Sequence, residues 1–314
     1  MTDGLVLPDR EDVEAAAVRL AGLVRRTPVL TCGALDELAG ASLFFKCENF
    51  QTTGAFKFRG ATHALALLAD DVKAVATHSS GNHGAALAAA AQARGITAHV
   101  VMPANAAAVK RAAVVHYGGR VVECAPTLEA RETALDQLVA ETQAVFVPPF
   151  NHPHIIAGQG TAALELLDEV EGLSAVVAPV GGGGLVSGTG IVAGGVEVFA
   201  AEPEQADDAA RSFRSGQIEP SHPNTIADGL LTSLGPLTFA AIQKHVADVV
   251  TVSEAEIVAA LRLVWERMKI VVEPSSAVAV AAVLKDNRFV GRRVGIILSG
   301  GNVDLGNLSS LLAL

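Results

Sequence analysis

The 314-residue sequence predicts an α/β fold of two lobes, each with a parallel-rich sheet flanked by helices. Two observations predict it. Short apolar and β-branched runs alternate with segments of helical character, and this alternation stops once, at "PPFNHP" (148–153), before it resumes. We therefore predict a small mobile domain over 73–150 and a large domain over 1–72 and 151–314.

The elements of the first half follow in order. Val13, Ala17, Leu20 and Val24 recur at helical spacing and predict an amphipathic first helix. Strand-like runs come next, at 42–47, 74–78, 97–102, 120–124 and 144–147. Helices are predicted between the later strands, beginning near residues 83, 107 and 128. Strands that alternate with helices in this way indicate a parallel sheet.

The second half repeats the alternation. Its strands are predicted at 175–180, 196–201, 248–252 and 293–298. Ser253 followed by Glu256 forms a capping-box pattern, which predicts a helix that runs from there to Lys269. The second half is therefore expected to form a sheet of its own.

The composition limits the partners. The formal net charge of −10 argues against a nucleic-acid groove and against docking on anionic lipid. The three cysteines are far apart and include no C-x-x-C, so neither a disulfide framework nor a zinc knuckle is indicated. No secretory signal opens the chain, and its apolar stretches are shorter than a bilayer span. We expect a cytoplasmic protein that binds small molecules, with no nucleic-acid or membrane partner.

Four consecutive glycines, Gly181, Gly182, Gly183 and Gly184, follow an apolar strand in "PVGGGGLVSGTG". Open α/β sheets bind ligands at such strand ends, and backbone N–H groups without Cβ atoms, followed by a helix, suit a phosphate. A tight, closely packed turn is the alternative. Glu202 ends the next strand and raises the possibility of a dinucleotide, but no frame of the glycines fits G-x-G-x-x-G, and no P-loop pattern occurs.

A second loop at a strand end lies in "THSSGNHGAALA", where Ser79, Ser80 and Asn82 precede a helix that begins around His83. N–H groups and hydroxyls at such a helix start suit a carboxylate, and the serines could take part in proton transfer. The alternative is that these residues only cap the helix. "LSGGN" (298–302) makes a third such loop, and three loops together indicate one small anionic ligand between the lobes.

Lys57, in "FQTTGAFKFRGA", follows the buried strand predicted at 42–47. A lone lysine near a strand is usually a surface charge. In an apolar pocket, however, burial lowers the pKa of the amine, which then becomes a nucleophile and base able to form a Schiff base. A phosphate site, a carboxylate site and such a lysine are what a pyridoxal 5′-phosphate (PLP) enzyme needs.

The chain also resembles a known family in the order and spacing of its motifs from about residue 5 to 305. They are "TTGAFKFRGA", "SSGNHG", "AGQGT", "GGGGL", "AAEPEQADDA", "TIADGL", "LVWERMK", "VEPS" and "LSGGN". Together they are similar to the fold type II PLP enzymes, which are built like the tryptophan synthase β subunit, and within them to the serine racemase and threonine/serine dehydratase branch. The resemblance implies this fold, PLP as cofactor and a homodimer.

The resemblance also implies roles for the cofactor residues. Lys57 would carry the cofactor as a Schiff base and move the substrate α-proton, with Phe56 against the ring. Gly181–Gly184 would hold the phosphate, Asn82 the ring hydroxyl and Ser299 the pyridine nitrogen. A serine hydroxyl there cannot keep that nitrogen protonated, which favours loss of a β-leaving group over transamination.

For the substrate, the resemblance implies that Ser79, Asn82 and His83 belong to the loop that receives the α-carboxylate. Ser80 would be the acid and base on the face opposite Lys57 in racemases. Arg131 is similar to a family arginine near the substrate and, with His78, could receive a second carboxylate. The alternative for Arg131 is an exposed helix residue.

The segment "EPEQADD" is similar to the family's divalent cation site. Glu202 and Asp208 would supply carboxylates and Ala206 a backbone carbonyl. Such oxygen ligands suit Mg²⁺, with Ca²⁺ or Mn²⁺ as alternatives. Acidic residues that are simply solvated are the alternative to a metal site.

We therefore predict a PLP-dependent dehydratase (ammonia-lyase) that converts L-threonine, L-serine or 3-hydroxyaspartate to a 2-oxo acid and ammonia. Phe150 favours this choice, because the racemases of this branch tend to carry a polar residue at that position. A serine or aspartate racemase with side dehydratase activity is the first alternative. A non-catalytic carrier of PLP or of a nucleotide is a remote one.

Overall fold

The computed structural model describes residues 6–79 and 81–312 and arranges them around two sheets. The strands are β1 (Val29–Leu30), β2 (Ser42–Cys47), β3 (Ala74–His78), β4 (Thr97–Pro103), β5 (Arg120–Cys124), β6 (Val145–Phe146), β7 (Ala175–Pro179), β8 (Glu197–Pro203), β9 (Asp248–Val252) and β10 (Arg293–Leu298). The helices are α1 (Arg10–Leu20), α2 (Gly33–Ala39), α3 (Lys57–Ala66), α4 (Asn82–Arg94), α5 (Ala108–His116), α6 (Leu128–Thr142), α7 (Pro153–Glu169), α8 (Gly184–Val192), α9 (Asp208–Ser215), α10 (Pro236–His245), α11 (Glu254–Leu263), α12 (Pro274–Lys285) and α13 (Leu308–Leu311).

The larger sheet has six strands in the order β1-β2-β10-β7-β8-β9, and only β1 runs antiparallel to its neighbour. Its strands alternate between two cores. Val177 and Ile296 pack on the side of α11 and α12, whereas Val176 and Ile297 pack on the side of α7 and α8. A parallel sheet covered on both faces reads as a continuous apolar run, which is why these strands were predictable.

The smaller sheet has four parallel strands in the order β5-β4-β3-β6. Val75 and Val100 pack with α3 and α4 on one face, while Ala76 and Val101 pack with α6 on the other. All four strands lie within 74–146. No helix of the described residues is both long and apolar enough to cross a bilayer.

The predicted strands are confirmed, and β2, β3, β5, β9 and β10 have the predicted bounds. The first helix is shorter than predicted, because it ends at Leu20. Gly22, with φ +77°, turns the chain before Val24 is reached. The helix that opens at the Ser253 capping box continues through a π-helical turn, Val264–Met268. Lys269 then stops it by adopting φ +60°.

Candidate active site

Three neighbouring strands of the large sheet end at the same edge. Cys47 at the end of β2 pairs with Leu298 at the end of β10, and β7 lies on the other side of β10. The chain continues from these ends into the Lys57 segment, Ser299 and the glycine loop. Together with loops that follow strands of the small sheet, these segments line a cavity of about 710 Å³.

Lys57 is the first residue of α3, and its amine borders this cavity. Nζ donates a hydrogen bond to the Pro149 carbonyl at 2.6 Å and lies 5.1 Å from the centre of the Phe56 ring. Burial lowers the pKa of Lys57 to about 7. A large fraction of the amine is therefore uncharged near neutral pH and can act as a nucleophile or a base.

The start of α3, which carries Lys57, is anchored by charged side chains that are wholly or largely buried. Arg59 donates two hydrogen bonds of 2.8 Å to the two carboxylate oxygens of Glu48, and neither side chain is exposed. Arg59 also donates to Glu165 of α7, and Lys46 of β2 lies 2.6 Å from the same carboxylate. Two cations and two anions thus fix the start of α3 against β2 and α7.

Each glycine of the loop has a structural reason: Gly183 has a positive φ, and at the other three positions a Cβ would crowd a different neighbour. Gly183 has φ +88°, which disfavours any side chain. A Cβ at Gly181 would lie 3.1 Å from the Leu230 Cα, and one at Gly182 would overlap the Phe150 ring. A Cβ at Gly184, where α8 begins, would overlap the Gln159 amide oxygen. The close-packed loop and the start of α8 together fit a phosphate.

Ser299 lies directly after β10 and is 3% exposed. Its Oγ is 3.2 Å from the Ser276 Oγ, and the Ser276 hydroxyl donates to the Gly300 carbonyl at 2.6 Å. Because Ser276 commits its proton to that carbonyl, Ser299 is the donor in the serine pair, and its hydroxyl proton can turn from Ser276 to an acceptor that enters the cavity. This fits a neutral pyridine nitrogen.

Asn82 opens α4, and its side-chain amide is held from two sides. Nδ2 donates to Glu273 at 2.7 Å, and Oδ1 accepts from Asn302 Nδ2 at 3.0 Å. These partners fix which way the amide points, so its second N–H has a defined direction. The arrangement suits a donor to an oxygen of the cofactor.

Glu273, Lys110 and Asp228 form a charged cluster on the cavity wall. Lys110 is hydrogen-bonded to Asp228 and lies 3.9 Å from Glu273 Oε2. Burial raises the pKa of Glu273 to about 7, although the Lys110 charge opposes the shift. The cluster links α5, beside the small sheet, to Glu273, the residue before α12.

The loop before α4 is held by hydrogen bonds to the Ser79 side chain. The Ser79 Oγ accepts hydrogen bonds from the backbone N–H groups of Gly81 and Gly84, at 3.2 and 3.1 Å. His83 is buried, its Nε2 lies 3.1 Å from the Val147 carbonyl, and burial lowers its pKa to about 3, so it is neutral. Ser80 lies outside the described residues, and its role stays a prediction.

Arg131 of α6 lines the cavity together with His78. Its Nε donates to the Thr127 carbonyl at 3.3 Å. Among the described residues, its terminal nitrogens make no hydrogen bond to protein. Burial and the nearby Arg131 charge lower the pKa of His78, whose ring stacks on Phe146 at 6.0 Å. The guanidinium is therefore available to an anionic group of a ligand.

The acidic segment from Glu202, near the end of β8, to Asp208, at the start of α9, does not itself line the cavity but lies behind Ser221 and Leu234, which do. Glu202 and Asp208 are each 1% exposed. Glu202 accepts hydrogen bonds from the N–H groups of Ala209 and Ala210, and Asp208 accepts one from the Ser221 hydroxyl at 2.9 Å. Burial is the main reason why the pKa of Glu202 rises to about 9.

The structure thus brings most predicted site residues to one cavity, and the predicted metal residues to the segment that runs from the end of β8 to the start of α9. Residues bordering the cavity are Phe56, Lys57, Ser79, Asn82, His83, Arg131, Gly181–Gly184 and Ser299. Sequence reasoning missed the roles of Glu273, Asn302, Lys110 and Gln159. Glu273, Asn302 and Gln159 lie in "VEPS", "LSGGN" and "AGQGT", so the motifs pointed to these residues without indicating what they contact.

Comparison with known proteins agrees with this geometry. The family described as "Pyridoxal-phosphate dependent enzyme" matches residues 20–300. A β-hydroxyaspartate dehydratase of Paracoccus denitrificans (strain Pd 1222) is 52% identical over 312 residues, which cover 97% of this chain and 99% of the relative. A serine racemase of Dictyostelium discoideum is 50% identical over 315 residues, which cover 96% and 97% of the two chains.

A crystal structure of serine racemase from Dictyostelium discoideum superposes with a TM-score of 0.90 at 49% identity and covers 95% of this chain and 99% of that one. The cavity lysine with its lowered pKa, the close-packed glycine loop and the Ser299 hydroxyl fit PLP. The chain therefore belongs to the pyridoxal-phosphate-dependent enzymes and has the fold of their type II members, as the resemblance implied.

Proposed function

We propose that the protein is an ammonia-lyase that converts a β-hydroxy α-amino acid, with 3-hydroxyaspartate preferred, to a 2-oxo acid and ammonia. The observation that carries the proposal is Lys57, an amine with a pKa near 7 at the wall of a cavity that also presents Arg131. PLP, when bound, supplies an electron sink for the α-carbon of the substrate. The cofactor would be held by Lys57, Phe56, Asn82, Gly181–Gly184 and Ser299.

Lys57 acts as the base in this proposal. Its uncharged amine takes the proton from the substrate α-carbon, and the electron pair released there expels the β-hydroxyl, which leaves as water after it gains a proton. Hydrolysis of the unsaturated amine then gives the 2-oxo acid and ammonia, so the water released is balanced by the water consumed. The neutral Ser299 hydroxyl supports elimination, because it does not keep the ring nitrogen protonated.

Arg131, on α6, supports the proposal that the substrate carries a second carboxylate. The N–H groups of Asn82 and His83, in the first turn of α4, suit the α-carboxylate. Arg131, with its terminal nitrogens directed to no protein acceptor in the described chain, offers a two-pronged partner for another carboxylate. The name of the Paracoccus relative supports the same choice of substrate.

We expect Arg131→Gln to lower kcat/KM for 3-hydroxyaspartate by about 100-fold, because a charged, partly buried hydrogen-bonded pair is lost. For L-serine, which has no second carboxylate, we expect a change of less than about threefold. Release of 2-oxo acid is measured for both substrates. Arg111→Gln is the matched control, because Arg111 of α5 pairs with Glu123 of β5 and does not line this cavity.

An equal loss of kcat/KM on both substrates would contradict the assignment of a dicarboxylate substrate.

The second candidate function is serine racemase, which the similarity to the Dictyostelium protein favours. The same assay separates the two. D-serine formed from L-serine faster than pyruvate would make racemisation the principal activity.

We also propose that residues 73–150 close over the cavity as a small domain and shield the reaction from water. The four-stranded sheet lies within this range. Polar contacts join it to the large sheet, among them Lys110 with Asp228 and the Tyr117 hydroxyl with the Thr52 carbonyl at 3.0 Å. Contacts of this kind can break and re-form as the cavity opens.

We further propose that Glu202, Asp208 and the Ala206 carbonyl bind a divalent cation. The two buried carboxylates are close enough for the Asp208 charge to raise the pKa of Glu202, and in the described chain neither forms an ion pair with lysine or arginine; Arg211 pairs with Asp207 instead. No group of three or more His, Cys, Asp or Glu side chains forms a metal cluster among the described residues. Two carboxylates and a main-chain carbonyl suit Mg²⁺ with bound water.

We expect saturating Mg²⁺ to raise the melting temperature by about 3 to 5 °C relative to EDTA-treated protein, because the ion binds only the folded chain. Glu202→Gln should abolish the shift. Asp207→Asn, a change to a half-exposed carboxylate of the same loop, should retain it. A shift that persists in Glu202→Gln would place the ion elsewhere.

A further inference from the structure

The chain segment Pro149–Asn151 contacts three parts of the site at once. The Pro149 carbonyl accepts the hydrogen bond from Lys57 Nζ. The Asn151 side-chain oxygen accepts one from the Leu237 N–H, at 2.9 Å, in the first turn of α10. The Phe150 ring, between them, lies against the glycine loop. This segment therefore connects the lysine to the predicted phosphate site.

The contact between Phe150 and Gly182 explains why residue 182 is a glycine. Gly182 does not have a positive φ, so its backbone would accept an alanine. The obstacle is the Phe150 ring, because a Cβ on Gly182 would overlap ring atoms Cγ, Cδ1 and Cε1. Gly183 differs, since its φ of +88° disfavours a side chain whatever the space. The position of the Phe150 ring thus requires a glycine at residue 182.

We infer that Phe150 is a positioning residue, whose ring sets the path of the glycine loop relative to the Lys57 amine. The inference rests on the proposed phosphate site at Gly181–Gly184. PLP is a rigid molecule that would meet the chain at two places, the lysine and the phosphate loop. Because Pro149 holds Lys57 and Phe150 supports Gly182, one short segment sets the distance between those two places.

A double-mutant cycle tests the inference. Gly182→Ala should weaken PLP binding by about 50-fold, because the methyl group and the ring cannot occupy the same space. Phe150→Ala should weaken it about fivefold through loss of support. In the double variant the methyl group occupies space that the ring has left, so affinity should return to within about fivefold of Phe150→Ala.

Gly181→Ala is the matched control within the same loop. Its methyl group would meet the Leu230 Cα at 3.1 Å and the Thr232 methyl at 3.2 Å, and not Phe150. The loss of affinity in Gly181→Ala should therefore be the same with and without Phe150→Ala. Rescue confined to position 182 would assign the effect to the ring and not to a general loosening of the loop.

The readout is the dissociation constant of PLP from the apo-protein, measured by absorption, so activity does not enter. Thermal unfolding checks that each variant is folded, and Phe150→Leu, which has no ring, should give the same pattern of rescue. If the losses of PLP affinity caused by Gly182→Ala and Phe150→Ala simply add in the double variant, the proposed role of Phe150 is overturned, while the phosphate site stays in place. If neither Gly181→Ala nor Gly182→Ala changes PLP affinity, the phosphate site itself fails and the inference fails with it.

Discussion

Lys57→Ala should abolish covalent attachment of PLP and lower the release of 2-oxo acid by at least about 10⁴-fold. Lys57 is the lysine whose amine borders the cavity between Phe56 and Phe150 and whose pKa is lowered by burial. Removing it takes away both the covalent bond to the cofactor and the base that removes the α-proton.

The measurement is reduction of the PLP-saturated protein with borohydride, followed by mass spectrometry of its peptides. Wild-type protein should carry the reduced cofactor on Lys57, and Lys57→Ala should carry none. Lys73→Ala, a change to an exposed lysine just before β3, should behave as wild type. Cofactor fixed to another lysine in wild-type protein would disprove the assignment.

The pH dependence of cofactor capture follows from the same residue. Only the uncharged amine attacks the PLP aldehyde, and burial lowers the pKa of Lys57 from 10.5 to about 7. The rate at which the apo-protein captures PLP should therefore rise with pH around a midpoint near 7 and level off above it. A midpoint near 10 would mean that the amine is solvated in the apo-protein.

Arg59→Met should lower the free energy of unfolding by about 3 to 5 kcal/mol, because it leaves Glu48 and Glu165 without their main cationic partner. The Arg59 and Glu48 side chains are fully buried, and Arg59 reaches both carboxylates with two hydrogen bonds each. A methionine fills the volume but cannot compensate the charges. Such a loss is a large part of the stability of an ordinary domain.

Urea unfolding of the PLP-saturated proteins measures this effect. Arg288→Met is the control, because Arg288 also pairs with two carboxylates, Asp248 and Asp286, but on the surface. Water replaces its partners, so the loss there should stay below about 1 kcal/mol. Equal losses in the two variants would show that burial does not set the cost of breaking the Arg59 cluster.

Much of the fold was predictable because its signals are local. The strands that form the centre of each sheet are continuous apolar runs bounded by turn residues. The Ser253 capping box predicted the start of α11 because its two hydrogen bonds span only three residues. The glycine loop and Lys57 were recognisable for the same reason, since the chemistry of each is contained in a short motif.

The partners of the buried charges were not predictable, because they are far apart in the chain. Arg59 meets Glu165, which is 106 residues away, and Asn82 meets Glu273, which is 191 residues away. The contact between Phe150 and Gly182 likewise depends on how the segment Pro149–Asn151 packs beside the glycine loop. A single sequence shows that these side chains are polar or aromatic, but only the packed fold brings them together.

The strand order has a consequence for how copies of this protein can associate. The outer strands of the two sheets are β1 and β9, and β5 and β6. β1 and β6 have two residues each, β5 carries Arg120 and Glu123, and β9 begins at Asp248. Short or charged edges resist the addition of a strand from another molecule. The predicted homodimer should therefore be joined through helices and loops, and neither sheet should continue from one subunit into the other.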